Sequence, residues 1–205
     1  MLDKNGFDLW ADGYDKTVGI SDEDDSYPFA GYKNVLAFIY RKILEHNSAV
    51  LLDIGFGTGT LTAKLYEQGC EIYGQDFSAK MLELAQAKMP EAHLHQGDFS
   101  KGLAEPLLQR RYDSILATYS LHHLTDDEKI RFIQLLKSLL KKGGYLFIGD
   151  VAFETEDELS KCRQEASEEW DEEEFYFVAD QLREAFPDLQ FTKISHCAGV
   201  ITLPA

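Results

Sequence analysis

The sequence predicts an α/β fold: a mostly parallel seven-stranded sheet with a terminal antiparallel strand and helices on both faces. Three observations predict it. Short apolar runs alternate with amphipathic stretches, the pattern of successive βαβ units. The run AVLLDI (49–54) is apolar on both faces, as a central parallel strand covered on each side must be. The closing runs LQFTKISHC and GVITL read as a terminal antiparallel pair, with Ala198-Gly199 as its turn.

Each element has a local cause. In GYKNVLAFIYRKILEHN, Val35, Leu36, Ile39, Ile43 and Leu44 fall on one helical stripe that Asn47 stops. After AVLLDI, Leu61 and Leu65 fit a helix ending near Gly69, where a left-handed backbone costs little. CEIYGQD is the second strand. Ser78 caps a helix carrying Met81, Leu82 and Ala85 that closes before Pro90. AHLHQGD is a third strand and YDSILATY a fourth. TDDE (125–128) has capping-box spacing, and Phe132, Leu135, Leu136 and Leu139 follow at helical spacing. KKGG ends that helix, its lysines complementing the dipole and its glycines permitting reversal into the fifth strand, YLFIGD. Between Glu154 and Glu174 acids far outnumber Lys161 and Arg163, which reads as a solvated helical face or an acidic cap. DQLREAF is a further helix.

A chain of 205 residues supports one sizeable core, so a single domain is expected. Within it, 1–47 is an N-terminal helical segment or lid and 48–150 a cofactor-binding core. An acidic helical cap follows at 151–188, then a C-terminal hairpin at 189–205. With 36 acids against 20 basic residues, a formal charge of −16 repels a phosphate backbone, and no cation cluster offsets it. Nucleic acid is thus excluded as a first guess. Three cysteines, Cys70, Cys162 and Cys197, are far apart with no CxxC, which points to neither a disulfide framework nor a zinc site. The amino terminus lacks a signal-peptide pattern, and no apolar run approaches the ~20 residues that span a bilayer. A soluble protein in the reducing cytoplasm is expected, with no membrane partner; oligomeric state is not written in the sequence.

The chemistry starts at LLDIGFGTGT. Gly55, Gly57 and Gly59 directly follow a strand ending in Asp53, a loop that lets bare backbone approach a nucleoside-bearing cofactor. The spacing is GxGxG; Thr60 stands where a dinucleotide fingerprint needs glycine, which weighs against NAD. Asp76, at the end of the second strand, lies where an acid reaches a ribose. At the end of the third, Asp98 and Phe99 offer an acceptor for an adenine amino group and a backbone donor for a ring nitrogen. These positions sit at successive strand tips, the edge where open α/β sheets bind ligands.

The ordered set LLDIGFGTGT, GQDFSAKML, GDF, YDSILATYSLHHL and LKKGGYLFIGD resembles the class I S-adenosylmethionine (SAM)-dependent methyltransferases over residues 48–150. With LWADGYDKTV and FAGYKNVLAFI upstream, the chain is similar to the YrrT-type methyltransferases of bacteria. The resemblance implies a Rossmann-like sheet and SAM as cofactor. It places Asp53, Gly55, Gly57 and Gly59 at the methionine part, Asp76 at the ribose and Asp98 with Phe99 at the adenine, with Phe77 among the cofactor-binding residues. Thr118 falls at the amino acid moiety, and Tyr14 closes over the same end. Lys142 replaces the proline common before the double glycine.

The implied activity is methyl transfer to a small-molecule acceptor by in-line displacement. Aromatic faces such as Tyr14 or Tyr119 can hold the sulfonium by cation–π attraction. If the acceptor must lose a proton, His122 or His123 is the nearest titratable candidate, so His122 and Tyr14 are the expected catalytic residues. No metal is expected, since His93 and His95 alternate on one strand without a third ligand. Trp10, Tyr14, Tyr27, Phe29, Trp170, Phe175 and Tyr176 either line an acceptor pocket or anchor the outer segments. A silent SAM-binding sensor or partner subunit shares every cofactor residue and is one alternative; an NAD-linked oxidoreductase is the other.

Overall fold

The computed structural model describes residues 26–205. Helix α1 (Tyr32–Glu45) leads into β1 (Val50–Ile54), α2 (Thr60–Glu67), β2 (Glu71–Asp76), α3 (Ala79–Lys88) and β3 (His93–Gln96). The short α4 (Glu105–Leu108), β4 (Tyr112–Thr118), α5 (Asp126–Ser138) and β5 (Leu140–Phe153) follow. The chain closes with α6 (Glu156–Ala166), β6 (Phe177–Val178), α7 (Ala179–Ala185), β7 (Gln190–Lys193) and β8 (Ala198–Pro204).

The strands run in the order β3-β2-β1-β4-β5-β8-β7, with β6 paired to β5 off this path. β1 lies parallel to both β2 and β4, so the strand order reverses around it. Register aligns Asp53 with Gly74 on one side and Leu116 on the other, which brings the tips of β1, β2 and β4 to one edge. A crevice opens where successive crossovers leave on opposite faces, and that switch point positions the site. β8 is antiparallel to both β5 and β7.

Alternation along the buried strands feeds two cores. Leu51, Leu116 and Phe147 pack with α1 and α2 on one face. Their neighbours Leu52, Ile115, Leu146 and Ile148 pack with α4, α5 and α7 on the other. The α1 stripe buries Val35, Ile39 and Ile43, but Leu44 lies at its margin and is exposed. A methyl group on Gly149 of β5 would stand 2.4 Å from Val35 Cγ1 and 2.9 Å from Ile39 Cδ1, so this glycine sets the closeness of α1 to the sheet. Gly149→Ala is expected to destabilise the fold by about 1–3 kcal/mol through overpacking. Urea titration checks it: the midpoint falls while the slope is unchanged.

Three local expectations are corrected. KKGG does not end α5, which stops at Ser138; it forms the irregular start of β5, where Tyr112 pairs with Leu140 and register shifts before Ser114. Lys141 there holds Asp113 at 2.9 Å instead of facing a helix end. β5 continues past residue 150 to Phe153, and β6 adds a pair of residues beside its end. Ala198-Gly199 is not the terminal turn, because both residues belong to β8 and Gly199 pairs with Lys193. In the acidic stretch, α6 buries only Cys162. Its ion pairs with solvent-facing partners, such as Lys193–Glu158 at 2.8 Å, fit a solvated face. No described helix is long and apolar enough to cross a membrane.

Candidate functional site

Beyond β1 the backbone is left-handed at Gly55, Gly57 and Gly59, with φ of 69°, 53° and 74°. The glycines have different neighbours. A Cβ on Gly55 would meet Ser120 Cβ at 2.5 Å, and the Ser120 hydroxyl donates to the Ile54 carbonyl at 2.8 Å, so β1 and β4 are tied tip to tip. A Cβ on Gly59 would meet Met89 Cε at 3.0 Å and Ala85 Cβ at 3.3 Å, which is the α2–α3 contact. At Gly57 it would meet nothing within 4 Å. The cleft it faces is also lined by Asp76, Phe77, Phe99, Thr118 and His123.

Asp76 braces this loop. Its Oδ2 accepts from the Gly57 amide at 2.9 Å and its Oδ1 from the Ser78 amide at 2.9 Å, while Ser78 caps α3 by accepting from Met81 N at 3.1 Å. Asp53 sits behind the loop at 2% exposure, and its Oδ1 has no hydrogen-bond partner among the described residues. Burial pushes its carboxyl up to about 7; the Thr62 hydroxyl draws it partly back and the Asp76 charge pushes it further. A buried acceptor without a donor beside a second acid makes this edge a place for a cationic ligand.

That shift has a sign in stability. Because the folded value lies above the ordinary 3.8, the native chain holds a proton through roughly pH 4 to 7 that the unfolded chain has lost. Stability therefore falls as pH rises through that window, by up to a few kcal/mol. Asp53→Asn is expected to melt higher than the parent without ligand, by a margin that widens from about pH 5 to about pH 8. Thermal melts across that range check it, and a constant margin would count against the assignment.

The other expected site residues are distributed as follows. Phe77, Phe99 and Thr118 line the cleft; Phe99 also stacks on Phe132 at 5.7 Å. Asp98 does not line it: its carboxylate accepts from Ser100 N at 3.0 Å and Ser100 Oγ at 2.6 Å and holds Lys101 at 2.9 Å. Partial burial pushes its pKa up, but the Ser100 and Lys101 contacts together hold it below the ordinary value. Tyr14 and Trp10 lie outside the described residues. Tyr27 stacks on Trp170 at 5.3 Å and Trp170 meets Tyr176 edge-on at 4.8 Å, so these rings anchor one another.

The two histidines separate. His123 faces the cleft; burial, with His122 adding to it, drives its pKa down to about 4. His122 is buried behind it, donating from Nδ1 to Asp150 Oδ1 at 2.6 Å, with Nε2 3.5 Å from Glu174 Oε1. Burial lowers its pKa, yet the Asp150 and Glu174 charges outweigh burial and raise it. Lys129, 1% exposed, holds Asp126 at 3.0 Å, donates to the Phe175 carbonyl and lies 4.4 Å from the Phe177 ring centroid. It thereby pins the segment that brings Glu174 to His122, as does the bond from Phe175 N to the His122 carbonyl at 2.8 Å. Sequence reasoning missed Asp150, Glu174 and Lys129. Only Lys129 left a signal, as a cation on the buried face of an amphipathic helix.

Residues 51–144 match the family model described as a methyltransferase domain. An uncharacterized methyltransferase of Geobacillus sp. (strain WCH70) is 39% identical over 177 residues, 86% of this chain and 78% of that one. Another, of Oceanobacillus iheyensis, is 32% identical over 192 residues, covering 90% of this chain and 87% of that one. Among solved structures, a DhpI–SAM–HEP complex superposes with a TM-score of 0.67 at 19% identity, covering 96% of this chain and 92% of that one. Magnesium protoporphyrin IX methyltransferase from Synechocystis PCC 6803 with bound SAH gives 0.67 at 18% identity, over 86% and 84%. The solved structures speak for the fold, a Rossmann-like sheet, and the curated relatives speak for descent, which removes the oxidoreductase alternative. Identity of that order along most of both sequences decides the matter: the chain belongs to the methyltransferase family of these bacterial relatives, on the fold of SAM-bound methyltransferases.

Proposed function

We propose that this methyltransferase transfers the methyl of SAM to a small-molecule acceptor by in-line displacement, with the cofactor held at the tips of β1, β2 and β4. The observation that carries the proposal is Gly57, left-handed and open to the cleft, its amide held by the Asp76 carboxylate, with Asp53 buried near the tip of β1. When bound, SAM supplies a methyl group made electrophilic by a sulfonium cation. The chain's part is to orient it and to offset its charge. Asp53, buried and short of a donor, faces the cationic methionine end together with the glycine loop. A carboxylate has about four acceptor sites, so Asp76 can brace Gly57 and Ser78 and accept from ribose hydroxyls as well. Phe77 and Phe99 flank the adenine, Asp98 sets the turn that carries Phe99, and Thr118 stands by the amino acid end.

The acceptor enters from the side of His122 and His123, under the cap segment that carries Glu174, and any proton it loses departs there. Fold neighbours named for magnesium protoporphyrin IX and for an amino pentose support a small acceptor. The charge of −16 supports one that is not nucleic acid, and three free buried cysteines support the cytoplasm. The test is to incubate the protein with methyl-labelled SAM and a metabolite extract and follow products by mass spectrometry. A protein-dependent methylated small molecule is expected. Bound SAM with no product would favour the silent module instead.

A further inference from the structure

We propose that His122, His123 and Glu174 form a site for a divalent transition ion, of the class of Zn²⁺, at the acceptor edge of the cofactor cleft. Their donor atoms lie within 4.8 Å of one another. The site is anchored by the hydrogen bond of His122 to Asp150. Asp150 is wholly buried, and its Oδ1 takes both His122 Nδ1 at 2.6 Å and the Val151 amide at 2.8 Å. With Nδ1 committed to Asp150, Nε2 stands 3.5 Å from Glu174 Oε1, and a proton or an ion can bridge the two. A lone pair facing a carboxylate oxygen repels it unless something positive stands between them.

The His122–Glu174 separation is the right one for an ion, and His123, with its donor within 4.8 Å of both, turns in to complete the set. Ligands ~2.1 Å from a tetrahedral centre stand about 3.4 Å apart. The outer atoms of both donors are also fixed. Asp150 orients the imidazole, and Tyr176 donates to Glu174 Oε2 at 2.7 Å, leaving Oε1 turned to His122. Carboxylate–histidine and hydroxyl–carboxylate pairs of this kind orient metal ligands. Two imidazoles and one carboxylate favour Zn²⁺, Co²⁺ or Fe²⁺ over Mg²⁺ or Ca²⁺, and three protein donors leave a coordination position open. His123 lines the cleft, so the site adjoins the cofactor cavity.

The chemistry deepens the methyltransferase reading and rests on it. A hydroxyl or thiol acceptor bound to the ion releases its proton to solvent more readily. The anion then forms a bond to the methyl carbon, and the C–S pair returns to sulfur, leaving a neutral thioether. The inference thus selects an acidic O–H or S–H acceptor over an amine.

The test uses the full chain freed of metal with a chelator and titrated with Co²⁺, then Zn²⁺, with SAM binding measured on the same sample. The visible d–d bands of four-coordinate Co²⁺ are expected, displaced by Zn²⁺. Asp150→Asn is expected to weaken Zn²⁺ roughly 10- to 100-fold, and the half-buried Glu174→Gln by more, with SAM affinity kept in the latter. A chain that binds SAM but takes up neither ion, as when a proton alone bridges His122 and Glu174, would overturn the inference while sparing the methyltransferase reading. So would Zn²⁺ affinity that Glu174→Gln and His123→Gln leave unchanged. Loss of SAM binding in the parent would strike the reading itself.

Discussion

Gly57→Val is expected to abolish measurable SAM binding, a loss of more than about 100-fold, in a chain that still folds. Two effects act at one position. At φ 53° an L-residue crowds its own carbonyl, which costs roughly 1–2 kcal/mol, and a β-branched side chain has little rotamer freedom to relieve it. Because a Cβ there meets nothing within 4 Å, the side chain projects into the open cleft instead of into the core. Neighbouring glycines supply the contrast. Gly55→Val would drive into Ser120 and Gly59→Val into Met89 and Ala85, so those variants lose stability along with binding. Calorimetric titration with SAM and S-adenosylhomocysteine, paired with thermal melts, separates the cases. Full affinity in Gly57→Val would move the cofactor away from the loop.

Asp76→Ala is expected to weaken SAM roughly 10- to 100-fold, the equivalent of about 1.5–3 kcal/mol for hydrogen bonds to a charged acceptor. The carboxylate works in two directions. Toward the ligand it accepts ribose hydroxyls, and toward the chain it takes the Gly57 and Ser78 amides at 2.9 Å each. Removing it therefore loosens the glycine loop as well. Asparagine does not restore the function, since whichever way the amide turns, its NH₂ group confronts one of those two N–H donors. Comparable losses for Asp76→Ala and Asp76→Asn by calorimetry are expected; an asparagine variant with parental affinity would show that the brace is dispensable.

What the sequence disclosed and what it concealed divide along the range of the interactions. The glycine loop was legible because left-handed backbone needs glycine wherever it occurs, and the central strands because burial on two faces leaves unbroken apolar runs. The Ser78 cap was legible because a hydroxyl and an amide three residues on form a local pair. Gly199 misled for an instructive reason: it serves close approach, a Cβ there meeting Phe191 at 2.3 Å, and not a turn. The turn itself is made by Ser195, whose hydroxyl accepts from Ala198 N at 3.0 Å and donates to Ala30 O at 2.7 Å. Glu174 and Asp150 meet His122 only through tertiary folding, across separations that no periodicity records. Asp98 read as a ligand contact, yet its nearest donors are its own neighbours, Ser100 and Lys101.

The most direct measurement of the central claim is a crystal structure of the full chain soaked with S-adenosylhomocysteine. An adenosyl group is expected in the cleft, its ribose at the Asp76 carboxylate and its amino acid end over Gly57 toward Asp53. An open, properly formed cleft that stays empty at saturating ligand, or a ligand ordered elsewhere on the chain, would contradict it.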